Sequence, residues 1–397
     1  MPYLTQKVCP RDRKQRETLF ISGRNALLSR SLLTECLSVR QEGETMGEIK
    51  LSIDGRDVTV PEGSTILQAA ARLGIKIPTL CHLWELPPSS ACRICVVEVE
   101  GSRTLVTACS YPASDGMIVK TGSERVLRAR RVVLELILSD HPLDCMTCEN
   151  AGGCTIQDLA YSYGLSGSRF EGERHHYPVD LSNPFIVRDY NKCIRCERCV
   201  RACAEIQEID AIDYAHRGFD MKVCAPFDGG LKGSDCVFCG QCVQECPTGA
   251  LVEKKARGMG RAWETNKVRT TCPYCGVGCQ MWLYVKDGRI TKSTAVRGAA
   301  PNKGRLCVKG RFGYDFIYSE ERLKTPLVRD NGTFREASWD EALNLIAEKF
   351  KAIIAEHGPD AIGGVSCSRS INEDSYQMQK LFRSVIGTNN IDNCART

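Results

Sequence analysis

No run of about 18 apolar residues occurs in this 397-residue chain, so no membrane-spanning helix is expected. The N-terminal region lacks a short apolar core followed by a small-residue cleavage site, and it carries no twin-Arg pair. A reducing cytoplasm is the expected compartment. A strong net charge is missing too. The formal value of +5 counts every Cys as neutral, and thiolate ligation to iron changes the sum: the five clusters inferred below contribute on the order of −9 when oxidised. No nucleic-acid partner is therefore expected, and the Arg-rich "SERVLRARRVVLELILSD" reads as a helix with one solvated face. Cysteine is what the chain has in excess. Its 24 residues belong to a chain too long to be a small disulfide-stapled scaffold. Most recur at intervals of two or three residues, which favours metal ligation.

Residues 1–45 show no sustained periodicity, and Met46 is a more natural first residue than Met1, so 1–45 is expected to be an extension that is not native, or an added arm. After Met46 the pattern sharpens. Ile49, Leu51 and Ile53 alternate, Asp54-Gly55 signals a hairpin turn, and Val58 and Val60 return on a second strand. Ser64 can cap the helix "TILQAAARLG", which closes at Gly74. Further on, Ser338-Trp339-Asp340-Glu341 reads as a capping box before a helix with Ala342, Leu345, Ile346, Phe350, Ile353 and Ile354 on one face. "DAIGGVSCS" reads as a buried strand and "NEDSYQMQKLFRSVIG" as a second capped helix ending at Gly387. That alternation begins an α/β domain.

Five metal groups follow one another. Cys81-x10-Cys92-x2-Cys95-x13-Cys109 can supply four thiolates to a 2Fe-2S cluster, three from one long loop and one from a later residue; scattered buried thiols are the alternative. In "HPLDCMTCENAGGC", His141, Cys145, Cys148 and Cys154 can hold a 4Fe-4S cluster, the neutral imidazole making the site less negative and raising its potential. A zinc site of three Cys and one His fits the same residue types.

"CIRCERCVRAC" and "CVFCGQCVQECP" are the most specific signals. Each is C-x2-C-x2-C-x3-C, and in two-cluster ferredoxins the fourth Cys of each run binds the other cluster. Cys193, Cys196, Cys199 and Cys246 are therefore assigned to one 4Fe-4S centre, and Cys236, Cys239, Cys242 and Cys203 to its neighbour. Tight triplets of this kind argue against structural zinc. "CPYCGVGC" offers Cys272, Cys275 and Cys279 for a further 4Fe-4S centre, closed by Cys307 in "GRLCVKG". Gly276 and Gly278 let the backbone wrap closely, and Lys309 is either a cation beside the cluster or an ordinary surface lysine. The GVG lacks the strand-turn-helix context and later acidic residue of a dinucleotide fold. Cys9, Cys36, Cys224, Cys367 and Cys394 are left over and are expected to be small buried thiols.

From Met46 onward this order resembles the catalytic subunit of cytoplasmic, NAD(P)-linked formate dehydrogenases of the molybdopterin oxidoreductase superfamily. The first cluster region is similar to a plant-type β-grasp ferredoxin, although Ser90 stands where such loops usually carry Gly. The N-terminal part alone also resembles the large peripheral subunit of complex I and the iron-only hydrogenases. The double ferredoxin motif is not the complex I pattern, and the hydrogenases' own later cysteines are missing. The resemblance is carried by "TCPYCGVGC…LCVKGRFGYDF" and "SRSINEDSYQMQKLFRSVIGTNNIDNCAR".

The resemblance implies an α+β multidomain iron-sulfur protein: a 2Fe-2S ferredoxin-like domain at 46–122, a 4Fe-4S domain with one His and three Cys ligands at 123–183, a double 4Fe-4S ferredoxin-like module at 184–256, a 4Fe-4S molybdopterin oxidoreductase domain at 268–325 and the start of a pterin-binding α/β domain at 326–397. It implies Mo or W held by two pterin guanine dinucleotides, with Lys309 as electron relay between the last cluster and the pterin. The expected reaction is formate oxidation to carbon dioxide or its reverse, with electrons leaving to a flavin-containing, NAD(P)-binding diaphorase-type subunit, or to ferredoxin or a hydrogenase. In the resembling enzymes "DNCAR" is followed, after one more residue, by a Cys or selenocysteine metal ligand and then a His. Here Asp392 to Arg396 match, Thr397 is the one more residue, and an in-frame UGA read as stop is the expected reason for the chain's end. No catalytic metal ligand is expected within the chain, so this fragment alone is expected to be inactive on formate. The alternative is an electron-transfer subunit of a complex I-like or hydrogenase-linked assembly.

Overall fold

A computed structural model describes residues 47–394. The expected extension 1–45, with Cys9 and Cys36, lies outside the described residues, as does 395–397. The alternating apolar residues form β1 (Glu48–Ile53) and β2 (Arg56–Pro61), joined by Asp54-Gly55 with φ of 50° and 78°. Leu51, Ile53, Val58 and Val60 pack against Ile66, Leu67, Ala69 and Ala70 of α1 (Ile66–Arg72). The cap of α1 is Thr65, not Ser64. The Gln68 amide N–H donates to Thr65 Oγ1 at 3.3 Å and the Thr65 N–H donates to Gln68 Oε1 at 2.8 Å. Ser64 has Leu67 three residues on, so it cannot close such a box. With β3 (Val96–Val99), β4 (Val106–Thr107) and β5 (Ile118–Lys120) the sheet has five strands in the order β2-β1-β5-β3-β4, β1 and β5 running parallel.

The Arg-rich segment is α2 (Glu124–Asp140), capped by Ser123. One face is solvated, as expected, with Arg125, Arg128 and Arg131 exposed, but Arg130 lies on the other face: it is buried and donates to the Val96 carbonyl at 2.8 Å and to the Tyr163 hydroxyl at 3.2 Å. It thereby ties the sheet to the end of α3 (Thr155–Ser162). Leu134 and Leu138 join Leu80, Ile94 and Ile156 in a second core.

The Cys-dense stretch has little regular structure: β6 (Ile186–Arg188), α4 (Arg198–Arg201) running into a π-helical turn to Ile206, β7 (Asp213–Ala215), β8 (Lys222–Cys224), α5 (Gln241–Glu245) and β9 (Leu251–Glu253). β6 pairs antiparallel with β9 and β7 with β8. Its small core of Ile186, Val200, Ile212, Val223 and Leu251 is completed by Cys side chains and by Phe312 from the next region. That region is an antiparallel meander, β10 (Asn266–Thr271), β11 (Gln280–Lys286) and β12 (Arg289–Ala295), followed by α6 (Val308–Phe312).

The last segment holds the hairpin β13 (Leu327–Asp330) and β14 (Thr333–Glu336), α7 (Trp339–His357), β15 (Gly364–Ser366), α8 (Asn372–Lys380) and β16 (Ile391–Asn393), which lies parallel to β15. Ser338 caps α7, but Glu341 does not return a bond to it: its carboxylate is paired with Arg335. α8 lacks a side-chain cap and continues as a π-helical turn to Ile386, closed by Gly387 at φ 87°. The strand expected to be buried is exposed at Val365, because β15 has a single neighbouring strand among the described residues. Only Phe350 and Ile354 of the α7 face reach a core, formed by Ile362, Phe382 and Ile386. Among the described residues no helix is long and apolar enough to cross a membrane.

Candidate metal centres

In the double module the two Cys triplets are folded alike. Arg195 and Glu197 have φ of 52° and 66°, and the corresponding Phe238 and Gly240 have 54° and 69°. These left-handed turns bend each loop so that its three sulfurs line one hollow. Cys193, Cys196 and Cys199 share theirs with Cys246. Cys236, Cys239 and Cys242 share the other with Cys203. The fourth Cys of each run thus faces the opposite triplet. All eight are free thiols. Burial pushes Cys196 and Cys242 up to about 12 and Cys199 well above its usual value. These three thiols stay protonated at neutral pH when bare, and a soft, multiply charged group must displace their protons to bind. No group of three or more His, Cys, Asp or Glu among the described residues could hold a single metal ion. Four cysteines lining each hollow are the donor set that a 4Fe-4S cluster takes.

At the N-terminal end the loop brings Cys95 Sγ to 3.4 Å from Cys109 Sγ, and Cys81 is hydrogen-bonded to Cys92. Those contacts draw Cys81 and Cys109 below, and drive Cys92 and Cys95 above, their ordinary values. Ser90 adopts φ 58°, the conformation that favours glycine, and places Oγ 3.5 Å from Cys109 Sγ while donating to Ser110 Oγ at 2.7 Å. The serine therefore adds a hydroxyl beside a sulfur that glycine could not.

His141 is buried at the end of α2, its Nδ1 without a partner, and burial holds its pKa below the usual imidazole value. A neutral imidazole with an unmet nitrogen suits metal ligation. Cys148 and Cys154 are buried, raised first by burial and also by the neighbouring Cys145. Gly249 of the double module approaches them closely: a Cβ there would stand 2.7 Å from Cys148 Sγ.

Cys272, Cys275, Cys279 and Cys307 line a larger hollow with Lys309. Burial and the neighbouring thiols push Cys279 up to about 11. Gly278 has φ 71°, and Gly276 is held by the Asn372 amide, which donates to its carbonyl at 2.6 Å. A Cβ at Gly310 would stand 3.4 Å from Cys272 Sγ.

These groups lie in series. Cys193 lines its own hollow and also a cavity shared with Cys92 and His141. After burial and the thiols of its own hollow, Cys242 of the neighbouring one also raises Cys199. Cys239 lines both its own hollow and that of Cys272 to Cys307. Sequence reasoning missed the residues that fix the last junction. Arg311 is wholly buried and donates to Gln244 Oε1 at 2.8 Å, while buried Glu245 accepts from Arg198 and Arg297, each at 2.9 Å. No local motif marks them, because the paired residues lie 47, 52 and 67 positions apart in the chain. Cys224 is buried as expected, but Cys367 and Cys394 are exposed, on the thinly covered β15–β16 pair.

Comparison with known proteins supplies domain-level matches. Residues 47–124 match a 2Fe-2S iron-sulfur cluster binding domain, and 130–169 match the NADH-ubiquinone oxidoreductase-G iron-sulfur binding region. Residues 183–252 match the ferredoxin-like domain of NADH-quinone oxidoreductase subunit 3, which overturns the expectation that this double motif departs from the complex I pattern. Residues 265–319 match the molybdopterin oxidoreductase Fe4S4 domain and 322–397 the molybdopterin oxidoreductase model.

Among relatives, NADPH-Fe(3+) oxidoreductase subunit alpha of Geobacter sulfurreducens is 41% identical over 348 residues, covering 88% of this chain and 40% of the relative. The second G-type chain of the NADH-quinone oxidoreductase of Rhizobium meliloti is 41% identical over 351 residues, with 88% and 40% covered. A provisionally assigned formate dehydrogenase of Staphylococcus aureus is 36% identical over 385 residues, with 87% and 39% covered. The chain spans about 40% of the length of these relatives. A chain of the NAD+-reducing [NiFe]-hydrogenase in the H2-reduced state superposes with a TM-score of 0.50 at 32% identity, covering 53% of this chain and 90% of that one. The chain thus carries, in this order, a 2Fe-2S domain, 4Fe-4S domains and the start of a molybdopterin oxidoreductase domain, and over 88% of its length it is similar to the G-type chain of Rhizobium meliloti.

Proposed function

We propose that this chain is the iron-sulfur, electron-carrying portion of a formate dehydrogenase, passing electrons between a molybdopterin site and an NAD(P)-linked partner subunit. The observation that carries the reading is the unbroken series of Cys groups from Cys81 to Cys307, with Cys193 and Cys239 each lining two neighbouring spaces. When bound, one 2Fe-2S and four 4Fe-4S clusters supply one-electron carriers. The chain's own residues would do the rest. Cys81, Cys92, Cys95 and Cys109 hold the first; His141, Cys145, Cys148 and Cys154 the second; Cys193, Cys196, Cys199 and Cys246 the third; Cys203, Cys236, Cys239 and Cys242 the fourth; and Cys272, Cys275, Cys279 and Cys307 the last. Lys309, lining that last hollow, is the relay toward a pterin.

The formate reading is supported by the likeness to the Staphylococcus aureus protein and by the match of Asp392 to Arg396 to the segment that precedes the metal ligand in selenocysteine-type enzymes. On this reading the full-length enzyme binds Mo or W through its pterin cofactor. The deciding experiment is to read the gene past codon 397, express the whole product, and measure Mo or W content together with formate-dependent dye reduction. A metal-loaded product that does not reduce dye with formate overturns the formate assignment. The second reading, an electron-transfer subunit of a complex I-like or hydrogenase-linked assembly, is favoured by the hydrogenase superposition and the Rhizobium meliloti relative. Under it the same cluster count is expected without formate activity.

A further inference from the structure

Cys367 and Cys394 belong to none of the cluster groups, yet the fold brings them together. β15 and β16 pair in the register Ser366↔Asn393, and the next residue on each strand is a cysteine. The Cys394 N–H donates to the Ser366 carbonyl at 3.3 Å, carrying the pairing one step further. The two sulfurs lie 3.5 Å apart, both exposed. A disulfide needs about 2.05 Å, so closure takes a side-chain movement of about 1.5 Å between neighbouring strands.

The two sulfurs are not equivalent. Cys394 Sγ accepts from the Ser368 N–H at 3.4 Å and lies 3.6 Å from Ser368 Oγ. These contacts, then the Cys367 thiol and the Arg369 charge, hold its pKa below the ordinary thiol value. Cys367 Sγ accepts from one backbone donor, the Arg369 N–H at 3.4 Å, besides its 3.5 Å contact with Cys394 Sγ. Donors aimed at a sulfur stabilise its thiolate, and the thiolate is the attacking species in exchange.

We propose that Cys367 and Cys394 form a redox-active dithiol that is oxidised to an intrachain disulfide by low-molecular-weight disulfides. The Cys394 thiolate attacks one sulfur of R–S–S–R, forming a mixed disulfide and releasing one thiolate, which takes a proton from water. Cys367 loses its proton to water and attacks the Cys394 sulfur, forming the Cys367–Cys394 bond and releasing the second thiolate. The chain loses two electrons and two protons, and the reagent becomes two thiols. The dithiol chemistry does not depend on the function proposed above.

The test uses the 397-residue chain, treated with oxidised glutathione without oxygen, acid-quenched and digested with trypsin. The expected product is peptide 352–369 joined to peptide 384–396, the pieces that carry Cys367 and Cys394. In Cys367→Ser, Cys394 should instead accumulate with glutathione attached. Ser368→Ala should slow the reaction of Cys394 about three- to tenfold at neutral pH by removing a donor to its sulfur. A persistent glutathione on Cys394 in the unsubstituted chain, linkage of Cys394 to other cysteines, or no reaction at Cys394 would each overturn the proposal.

Discussion

Arg311 donates from Nε to the carbonyl oxygen of Cys239 at 3.3 Å, and it does so from a wholly buried position. Space for this contact exists because residue 240 is glycine: a Cβ there would stand 2.9 Å from Arg311 Cγ and from Phe312 Cζ. A fixed cation thus sits against the loop that lines both of the last two hollows. Cations near a cluster favour its reduced, more negative form. Replacing Arg311 by Gln should move the potential of the centre held by Cys236, Cys239, Cys242 and Cys203 to more negative values, leaving the Cys81 to Cys109 centre unchanged. Potentiometry followed by electron paramagnetic resonance reads both, and equal shifts at the two would count against a local effect.

Glu245 bonds two arginines from different regions, Arg198 and Arg297. Glu245→Ala leaves Arg198, which is largely buried, without its carboxylate, and should cost about 3 kcal/mol of stability. Glu245→Gln keeps hydrogen bonding and should cost less. Thermal unfolding of the loaded protein compares them.

Glu253 is buried with Oε2 unpartnered, and burial raises its pKa to about 7 against the pull of Arg311 and Lys292. The folded chain keeps this proton where the unfolded chain has released it, so stability falls as pH rises from about 4.5 to about 7. The loss amounts to about 3 kcal/mol across that window, with no further contribution above it. Glu253→Gln should flatten the slope of melting temperature against pH in that window. Parallel slopes for the two proteins would refute the assignment.

Anaerobic reconstitution should load about 18 irons per chain. Cys246→Ser should remove the spectrum of the Cys193 centre, and Cys203→Ser that of the Cys236 centre, although each substitution lies in the other run. Iron near 10 with stoichiometric zinc would defeat the cluster assignment.

The Cys spacings pointed to the groups that line common hollows and to the crossed pairing, because ligation of one metal centre by several thiolates demands short intervals. Asp54-Gly55 and the alternation around it likewise marked the first hairpin. What spacing could not reveal was anything set by distant partners. Arg130 turned inward because a carbonyl and a hydroxyl awaited it on other elements. Ser64 lost the cap to Thr65 by one residue, since the deciding group was Gln68. Glu341 abandoned its return bond for Arg335. Cys367 and Cys394 were misjudged as buried, as strand cover depends on neighbours that periodicity does not count.

The exchange of Cys203 and Cys246 between the two runs also constrains descent. Each run lends one sulfur to its twin's hollow. An ancestor that dropped either half would have opened both hollows at once, leaving three sulfurs in one and a single sulfur in the other. A whole run cannot be removed without opening both hollows, whereas substituting the ligands of one hollow leaves the four cysteines of the other in place.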